Sequence, residues 1–492
     1  MKKIITTAAY PFIPAELNMA HMASTYIPAD VYHRFMKLLG YNSVFVSATD
    51  VHGVAVKNIL KNNDMDLEEI ICTFHEKYKK LFSCLNVKFD TYSRTDTRDV
   101  EELVRQSLIK IKEKGYIIKK ESSNYYCKQC SEYLPKRFRI KTQEFTQTNK
   151  MKLSGNQEDM CCFFCGNTEI AEQKIDHWFL DIPKGKEIIS EIVTKQTNKN
   201  VKTYLESVIN LGLKEWDFTR EDYIGIRIPF EEKEQYIYLW YESLIAYMTL
   251  FDREEDVELR HFMGKNIIYY HGIIWPLLLR EGLNIKNMDM HICAKGFMNI
   301  TKSDSVLIDI EKAVQKFDKD YLRFYIIYRT QDTIDDFSFT ENHFKQIINK
   351  VLCRQLGGFL NRCRSILMKN KVENVPKWNK EDELLTDSKP LLEVAILNMN
   401  VNNALMLVIE YIKKCGKYIQ LHTIYKSPSK EQLGLLCHMM ASVIILLKPF
   451  IPDVINNYNI FNNIELKSLD QLEFLEGEKV IYNNLIWEML DE

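Results

Sequence analysis

The sequence predicts an α/β protein in which a parallel sheet is interrupted by a cysteine-bearing insertion and followed by an all-α bundle. Residues 3–49 alternate in the order strand, loop, helix, strand, which is how a doubly wound parallel sheet begins. Two Cys-x-x-Cys pairs then interrupt the pattern, and strand-like segments return at residues 236–240 and 266–271. Farther along, apolar residues recur at helical spacing in residues 401–412 and 435–447.

Each element of the first half follows from its local pattern. Residues 3–9 predict a short buried strand, which ends before a loop that contains two prolines. Residues 20–39 carry apolar side chains at helical spacing, and residues 43–48 predict a second strand. Ligands of parallel sheets bind at the carboxyl ends of the strands. We therefore expect residues 7–21 and 49–53 to border a ligand site.

The composition is that of a globular protein large enough for several domains. The chain has 492 residues, of which 46% are hydrophobic, 12% aromatic and 27% charged. A net charge of −2 excludes a globally basic surface, so any nucleic-acid contact would be a local patch. No apolar run approaches the length of a membrane span, and no signal peptide stands out. Twelve cysteines are too few for a disulfide scaffold, which favours the reducing cytoplasm and a metal.

Four of these cysteines form two pairs that predict a zinc site. Cys127 and Cys130 make the first pair, and Cys162 and Cys165 make the second. Each pair fits a knuckle whose thiolates converge on one tetrahedral ion, although scattered structural cysteines are the alternative. Cys161 leaves the register of the second pair ambiguous, and Cys162 is favoured because it gives a Cys-x-x-Cys-Gly sequence. Four thiolates leave no position for water, so the expected zinc is structural.

Two polar segments have the chemistry to contact phosphate groups. His21 opens a helix behind the proline-containing loop, where the helix dipole favours an anion. Lys302 lies in a polar loop beside Thr301 and Ser303. Taken alone, a histidine at a helix start is more often structural, and such a lysine is more often a solvated surface residue.

A third set of residues has the chemistry to bind an amino acid. Asp50 follows the second strand directly, so its carboxylate could hold a substrate ammonium, with a helix N-cap as the alternative. Aromatic residues near predicted strand ends could wall a pocket for an apolar side chain, or belong to an ordinary core. These residues are Tyr10, Phe12, Trp240, Tyr247, Tyr270 and His271.

Longer blocks of sequence join these signals into one pattern. Five blocks occur in this order: Tyr-Cys-x-x-Cys-x-x-Tyr-Leu-Pro-x-Arg-Phe (126–138), His-Trp-Phe-Leu-Asp (177–181), His-Phe-Met-Gly-Lys (261–265), Tyr-Tyr-His-x-Ile-Ile-Trp-Pro (269–276) and Asp-Tyr-Leu-Arg-Phe-Tyr (320–325). With them, the chain resembles the class I aminoacyl-tRNA synthetases, and within that class the methionyl-tRNA synthetases, over nearly its whole length. The resemblance implies a split Rossmann-type sheet with a zinc-knuckle connective peptide, followed by a helical anticodon-binding domain. The implied boundaries are 1–117 and 231–330 for the two catalytic halves, 118–230 for the connective peptide and 331–492 for the helical domain.

The resemblance also implies an activity and a role for each candidate residue. The family adenylates methionine with ATP and Mg²⁺ and then transfers the aminoacyl group to tRNA, a reaction that depends on positioning and charge neutralisation. His21 matches the second histidine of the HIGH-type signature, and Lys302 matches the second lysine of the KMSKS-type loop. The implied ATP-binding residues are Asn18, Ala20, His21, Lys302 and Ser303. The implied amino-acid-binding residues are Tyr10, Phe12, Asp50, Trp240, Ser243, Tyr247, Tyr270 and His271.

The chain departs from the family pattern at these functional positions. Asn18 replaces the first signature histidine, Ala20 replaces a glycine, and the KMSKS-type loop lacks its first lysine. The amino-acid pocket gains hydroxyl groups, including that of Ser243, and buried hydroxyls need hydrogen-bond partners. These changes keep three alternatives open. The chain could activate a different or modified amino acid for a non-tRNA acceptor, be an inhibitor-resistant second copy, or bind RNA without catalysis. No appended dimerisation domain follows the helices, so we expect a cytoplasmic monomer.

Overall fold

The computed structural model defines the strands and helices of most of the chain. It describes residues 2–62, 65–127, 132–134, 139–141, 160–162, 166–252, 256–285, 289–301, 304, 307–378, 388–456, 469, 472, 475–482 and 487–491. The strands are β1 (Lys3–Ala8), β2 (Ser43–Thr49), β3 (Thr91–Arg94), β4 (Ile117–Cys127), β5 (Glu132–Leu134), β6 (Arg139–Lys141), β7 (Met160–Cys162), β8 (Ile170–Leu180), β9 (Trp216–Asp217), β10 (Thr219–Arg220), β11 (Tyr236–Ile237), β12 (Val257–Gly264), β13 (Asp289–Lys295), β14 (Met298–Ile300) and β15 (Phe337–Phe339).

The α-helices surround the central sheet and form the C-terminal part. They are α1 (Met19–His21), α2 (Ile27–Leu38), α3 (Val54–Asn62), α4 (Leu67–Cys84), α5 (Arg98–Glu113), α6 (Lys186–Thr194), α7 (Lys199–Leu211), α8 (Leu239–Ala246), α9 (Trp275–Leu277), α10 (Ile310–Lys316), α11 (Lys319–Arg329), α12 (Glu341–Ile347), α13 (Gly358–Lys369), α14 (Lys389–Leu397), α15 (Val401–Leu421), α16 (Lys430–Leu447) and α17 (Pro452–Asn456). A π-helical segment, Met22–Tyr26, joins α1 to α2, so the two form one continuous helix.

The central sheet has five parallel strands in the order β13–β12–β1–β2–β3. Ile5 in β1 is opposite both Leu259 in β12 and Val44 in β2. The strands β2 and β3 extend the sheet from one side of β1, and β12 and β13 extend it from the other side. The strand order therefore reverses between β1 and β12, and this reversal opens a crevice at the carboxyl ends of these two strands. The predicted α/β fold class is confirmed.

The two faces of this sheet bury different cores. Alternate residues of β1 point to opposite faces, so Ile4 and Ile5 belong to separate clusters. The Ile4 cluster continues through Phe35 in α2 and reaches Leu447 in α16. The Ile5 cluster includes Leu278, which follows α9. The helical C-terminal part and one face of the sheet therefore share a continuous hydrophobic core.

An antiparallel sheet is inserted between β3 and β12, with the strand order β5–β4–β8–β9. The long pair β4 and β8 runs from Ile117 opposite Leu180 to Cys127 opposite Ile170. The first metal-ligand candidate thus lies at the far end of this ladder. The insertion agrees in position with the predicted connective peptide, and the exact domain boundaries stay predictions.

The C-terminal helices form the predicted bundle, and α16 is its central helix. By length and composition alone, this helix could cross a membrane. Every residue from Leu433 to Leu447 is buried against other parts of the chain, as a central bundle helix requires.

The structure confirms the predicted first strand, the helix that ends at Leu38, and the second strand. One predicted strand is wrong, and another is only partly correct. Within residues 236–240 only Tyr236–Ile237 is a strand, and α8 begins at Leu239. Residues 266–271 belong to helical turns that lead into α9. Both segments are short and rich in aromatic residues, so their periodicity does not separate strand from helix.

A buried guanidinium connects the sheet to the bundle. Arg323 in α11 is 0% exposed, and its Nη2 donates to Asp30 Oδ2 in α2 at 2.6 Å. Its other N–H groups donate to Leu85 O at 3.0 Å and Phe450 O at 3.2 Å, and Nη2 also reaches Pro449 O at 3.0 Å. One side chain therefore joins four chain segments from both parts of the molecule.

The acceptor of this ion pair is equally well bound. Asp30 also accepts from Arg34 Nε at 2.7 Å and from the Lys88 N–H at 3.1 Å. Burial alone would raise the pKa of Asp30, but the charges of Arg323 and Arg34 hold it below its ordinary value. The carboxylate stays ionised, and the pair remains charged inside the protein.

Replacing Arg323 with Met should strongly destabilise the protein, because it leaves buried carbonyl oxygens without a donor. We expect the free energy of unfolding to fall by about 3–5 kcal/mol, measured by urea denaturation. The control is Lys195→Met, which breaks an exposed helix pair with Glu191 and should cost under about 1 kcal/mol. Equal effects of the two substitutions would contradict the importance of the buried pair.

Candidate active site

The crevice between β1 and β12 holds the loop that precedes the first helix. Just after β1, the Ala9 N–H donates to Phe262 O of β12 at 3.0 Å. On the other side, the Asp50 N–H donates to Pro11 O at 2.8 Å, and the Ile13 N–H donates to Asp50 O at 2.9 Å. The loop is thus held by backbone hydrogen bonds to both neighbouring strands, which fixes its path towards His21.

Asn18 and His21 cap the first helix reciprocally. The Asn18 Oδ1 accepts from the Ala20 N–H at 3.0 Å and from the His21 N–H at 3.3 Å. In return, His21 Nδ1 accepts from the Asn18 N–H at 3.2 Å. This is a capping box in which histidine takes the place usually held by Glu or Gln. The asparagine that replaces a signature histidine therefore has a defined structural role.

This cap also determines which nitrogen of His21 can donate. Its Nδ1 accepts a hydrogen bond, so in the neutral ring the proton is on Nε2. The side chain is exposed, and the surrounding protein lowers its pKa by desolvation. At neutral pH, His21 therefore presents a neutral Nε2–H donor at the start of a helix, where an anion is favoured.

Asp50 is the buried acid of the site, at the carboxyl end of β2. Its Oδ2 accepts from Ser243 Oγ in α8 at 2.5 Å, and its Oδ1 accepts from Thr95 Oγ1 at 3.3 Å. Burial, and then the nearby Glu242 carboxylate, raise the pKa of Asp50 well above its ordinary value. A cationic group is therefore needed to stabilise its charge.

Aromatic side chains line the crevice next to Asp50. The rings of Tyr10 and Tyr247 lie 4.1 Å apart, and the Tyr247 hydroxyl lies 3.4 Å from His271 Nε2. Trp240 stacks on Tyr270 with ring centroids 4.5 Å apart and an angle of 9°. Burial lowers the pKa of His271 to about 4, so this imidazole is neutral. The structure thus brings five of the predicted pocket residues into one aromatic wall.

Phe12 and Ser243 differ from the other predicted pocket residues. The backbone of Phe12 pairs with that of Asp50, but its side chain is 48% exposed. The Ser243 hydroxyl donates to Asp50 Oδ2 and also lies 2.8 Å from Leu239 O, so its one proton is used within the protein. It does not need a polar group of a ligand as its partner.

The sequence interpretation gave no role to His261, which the structure places in the same wall. Its ring lies 4.7 Å from that of Tyr247 and 4.2 Å from that of Trp275, and its Nδ1 is hydrogen-bonded to Thr7 Oγ1. Burial, and then the neighbouring His271, lower its pKa well below the ordinary value. Recognising β12 as a strand would have placed His261 beside β1 and revealed this contact.

The predicted phosphate contacts Lys302 and Ser303 lie outside the described residues, so their roles stay predictions. The strand that leads to them is defined: β14 pairs in parallel with β15, with Asn299 opposite Ser338. After it, Thr301 Oγ1 donates to Asp304 Oδ2 at 2.6 Å.

Two of the four predicted zinc ligands lie within the described residues. Cys127 and Cys162 are fully buried and belong to one cluster, to which Cys161 does not belong. The Gly166 N–H donates to Cys162 O at 2.8 Å, a tight turn in which Gly166 has a φ of 71°. Both features fit a zinc knuckle that contains Cys162. Cys130 and Cys165 lie outside the described residues.

Comparisons with known proteins agree with this geometry. Residues 4–364 match the family described as tRNA synthetases class I (M). The methionine–tRNA ligase of Pyrococcus furiosus is 28% identical, in an alignment that covers 98% of this chain and 74% of that protein. The methionine–tRNA ligase of Methanocaldococcus jannaschii is also 28% identical, over 92% of this chain and 74% of that protein.

A solved structure has the same fold. The Mycobacterium tuberculosis methionyl-tRNA synthetase, in complex with methionyl-adenylate, superposes with a TM-score of 0.79. The superposition covers 98% of this chain and 99% of that chain, at 18% sequence identity. The family match spans most of the chain, including both halves of the split sheet and the inserted sheet between them. This chain therefore belongs to the class I tRNA synthetases, in the family described as tRNA synthetases class I (M).

Proposed function

We propose that this chain is a methionine–tRNA ligase, which adenylates methionine with ATP and transfers the aminoacyl group to tRNA. The observation that carries the proposal is that the loop leading to His21 is hydrogen-bonded to the backbone of Asp50, and that Tyr10 and Tyr247 of the aromatic wall lie beside Asp50. The relatives that are themselves methionine–tRNA ligases support tRNA as the acceptor over a non-tRNA acceptor.

In the first step, the substrate carboxylate attacks the α-phosphorus of ATP, and pyrophosphate leaves. The Nε2–H of His21 is the donor for a phosphate oxygen, because its Nδ1 is held by the Asn18 N–H. Lys302 is proposed to neutralise the charge that develops on the leaving pyrophosphate. Mg²⁺ is proposed to enter with ATP as the counter-ion of its phosphates. The protein contributes orientation and charge neutralisation, with no covalent nucleophile.

Asp50 and the aromatic wall are proposed to select the amino acid. The ammonium group meets the buried Asp50 carboxylate, and the side chain meets rings that carry no charge. An apolar, polarisable thioether suits such a wall, since sulfur packs favourably against aromatic rings. Because the Ser243 hydroxyl is already bonded to Asp50, it gives no reason to expect a more polar side chain.

One observation favours a second candidate, activation of a more polar or modified amino acid. The Tyr10 hydroxyl is buried and has no hydrogen-bond partner among the described residues. A buried hydroxyl without a partner is costly, and a polar group on a bound amino acid would satisfy it. Tyr10 is therefore the residue that separates the two candidates.

ATP–pyrophosphate exchange, driven by a panel of amino acids, tests the proposal directly. We expect exchange with methionine and much weaker exchange with methionine sulfoxide and homoserine. Exchange restricted to one of the polar amino acids would support the second candidate and contradict the first. The Tyr10→Phe variant refines the result. If methionine is the substrate, its KM should stay within about twofold of the parent value. If the Tyr10 hydroxyl donates to a polar substrate, losing that hydrogen bond should raise the KM for that substrate about fivefold.

Lys302→Ala should lower the exchange rate by about 100- to 1,000-fold while the protein stays folded, as expected for a group that stabilises transition-state charge. The control is Lys312→Ala, which removes a lysine with an exposed side chain in α10 and should leave the rate unchanged. Circular dichroism checks the fold of both variants. A rate for Lys302→Ala equal to that of the control would refute its assigned role.

Zinc is proposed to staple the inserted sheet through Cys127, Cys130, Cys162 and Cys165. The burial of Cys127 and Cys162 in one cluster, and the tight turn after Cys162, support this ligand set. When bound, such an ion holds together an insertion in which Cys127 and Cys162 belong to a small hydrophobic cluster of the described residues. The thiolate ligands also suit a reducing cytoplasm, which we propose as the location.

Metal analysis by mass spectrometry should find one zinc ion per chain in the parent protein. Cys127→Ser should lose the ion and lower the unfolding temperature, because metal binding contributes to folding. The neighbouring Cys161→Ser is the matched control and should keep the ion. Loss of zinc from Cys161→Ser, with retention in Cys162→Ser, would show that the register of the second pair is wrong.

A further inference from the structure

A second buried carboxylate lies beside the candidate substrate-binding acid. Glu242 in α8 is 0% exposed, and both of its carboxylate oxygens lie 2.8 Å from His52 Nδ1. His52 follows Asp50 by two positions in the chain, and Glu242 directly precedes Ser243, whose hydroxyl contacts Asp50. Two side-chain contacts thus connect α8 to the end of β2, one between Ser243 and Asp50 and one between Glu242 and His52.

The charges around His52 favour its protonated form. It faces Glu242 from α8, Asp50 from its own strand end, and Asp96 from the segment after β3. Asp96 is itself paired with Arg94, whose Nε donates to it at 2.9 Å. Burial opposes the charge on His52, but these carboxylates, Glu242 above all, raise its pKa to about 9. At neutral pH, His52 is therefore a cation that balances the Glu242 carboxylate.

We propose that Glu242 and His52 are positioning residues for the amino-acid ammonium group. Their ion pair is neutral as a unit, so Asp50 is left as the carboxylate without a cation in this cluster, ready for the ammonium. The pair also holds α8 against the end of β2, which keeps Ser243 Oγ on Asp50 Oδ2. This inference rests on the proposed function, because it assigns the ammonium to Asp50.

The two members of the pair act on Asp50 with opposite signs. After burial, the negative charge of Glu242 is the main factor that raises the pKa of Asp50, whereas the positive charge of His52 lowers it. Ammonium binding requires ionised Asp50, so the KM for the amino acid rises as the pH falls below this pKa. Removing Glu242's charge should move that rise to lower pH, and removing His52's charge should move it to higher pH.

The experiment measures the KM for methionine in pyrophosphate exchange as a function of pH, for Glu242→Gln and His52→Gln. We expect the midpoint of the acid-side KM rise to move down in the first variant and up in the second, each by about half a pH unit or more. On the acid side of the profile, displacing the midpoint by about one pH unit changes the KM at a fixed pH about tenfold. Loss of a purely structural contact would instead raise KM at every pH, without opposite displacements of the midpoint.

The control is Asp222→Asn, at a residue that contacts α3, the helix that follows His52. Asp222 pairs with Lys57 in α3, whose Nζ also donates to Asp222 O at 2.8 Å, and neither side chain contacts Asp50. Its midpoint should equal that of the parent. Midpoints that move in the same direction in the two test variants, or that do not move, would overturn the inference.

The outcome can be separated from failure of the proposed function. Exchange by the parent protein with methionine at neutral pH reports on the function itself. If that exchange is absent, NMR titration of labelled histidines in the ligand-free chain still decides the inference. A His52 midpoint near 9 in the parent that moves to a lower pH in Glu242→Gln supports it. A parent midpoint near the ordinary value of about 6.5 overturns it.

Discussion

The position of the candidate active-site crevice depends on the buried ion pair between Arg323 and Asp30. Asp30 belongs to α2, which is continuous through a π-helical segment with α1, the short helix that begins at Met19 and ends at His21. Holding α2 at Asp30 therefore fixes the direction in which the start of the helix points. Arg323 also donates to the backbone carbonyls of Pro449 and Phe450, which follow the long bundle helix α16. The end of the bundle therefore also holds α2 in place. The site and the helical part are thus parts of one packed unit. They are joined by a buried ion pair, and losing either partner would leave an uncompensated buried charge.

Electrostatics inside the crevice depend on burial and on which charged groups face each side chain. His261 and His271 are buried where no carboxylate of the described residues compensates them, so burial keeps both rings neutral. His52 is buried against Glu242 and is charged. The same side chain thus has opposite states within one site, and the difference lies in whether an acid faces it.

The sequence predicted the parts of the fold that have a clear local period. The first strand, the helix ending at Leu38 and the second strand were predicted closely, because each is followed by an unambiguous turn or change of period. The strands β12 and β13 were not identified, and α8 was read as part of a strand. These elements are buried on nearly all sides, so no polar face reveals whether the period is 2 or 3.6.

The candidate site was predictable to a similar extent. The positions of His21, Asp50 and the aromatic wall followed from strand ends and from the family resemblance. The pairing of Glu242 with His52 was not predictable, since 190 residues separate them and the helix that carries Glu242 was misread. Nor could sequence show that the Ser243 hydroxyl is bonded to Asp50, because that depends on how α8 is oriented against β2.

The reciprocal cap between Asn18 and His21 has a consequence for how such enzymes are recognised. Asparagine is among the best residues for starting a helix, so it preserves the backbone that aims the histidine even though the literal signature is lost. Searches of genomes for the intact tetrapeptide would pass over this chain. A search that requires a hydrogen-bond acceptor three positions before the histidine, at the end of the loop that follows a buried strand, would find it, and would define the motif by its geometry instead of its letters.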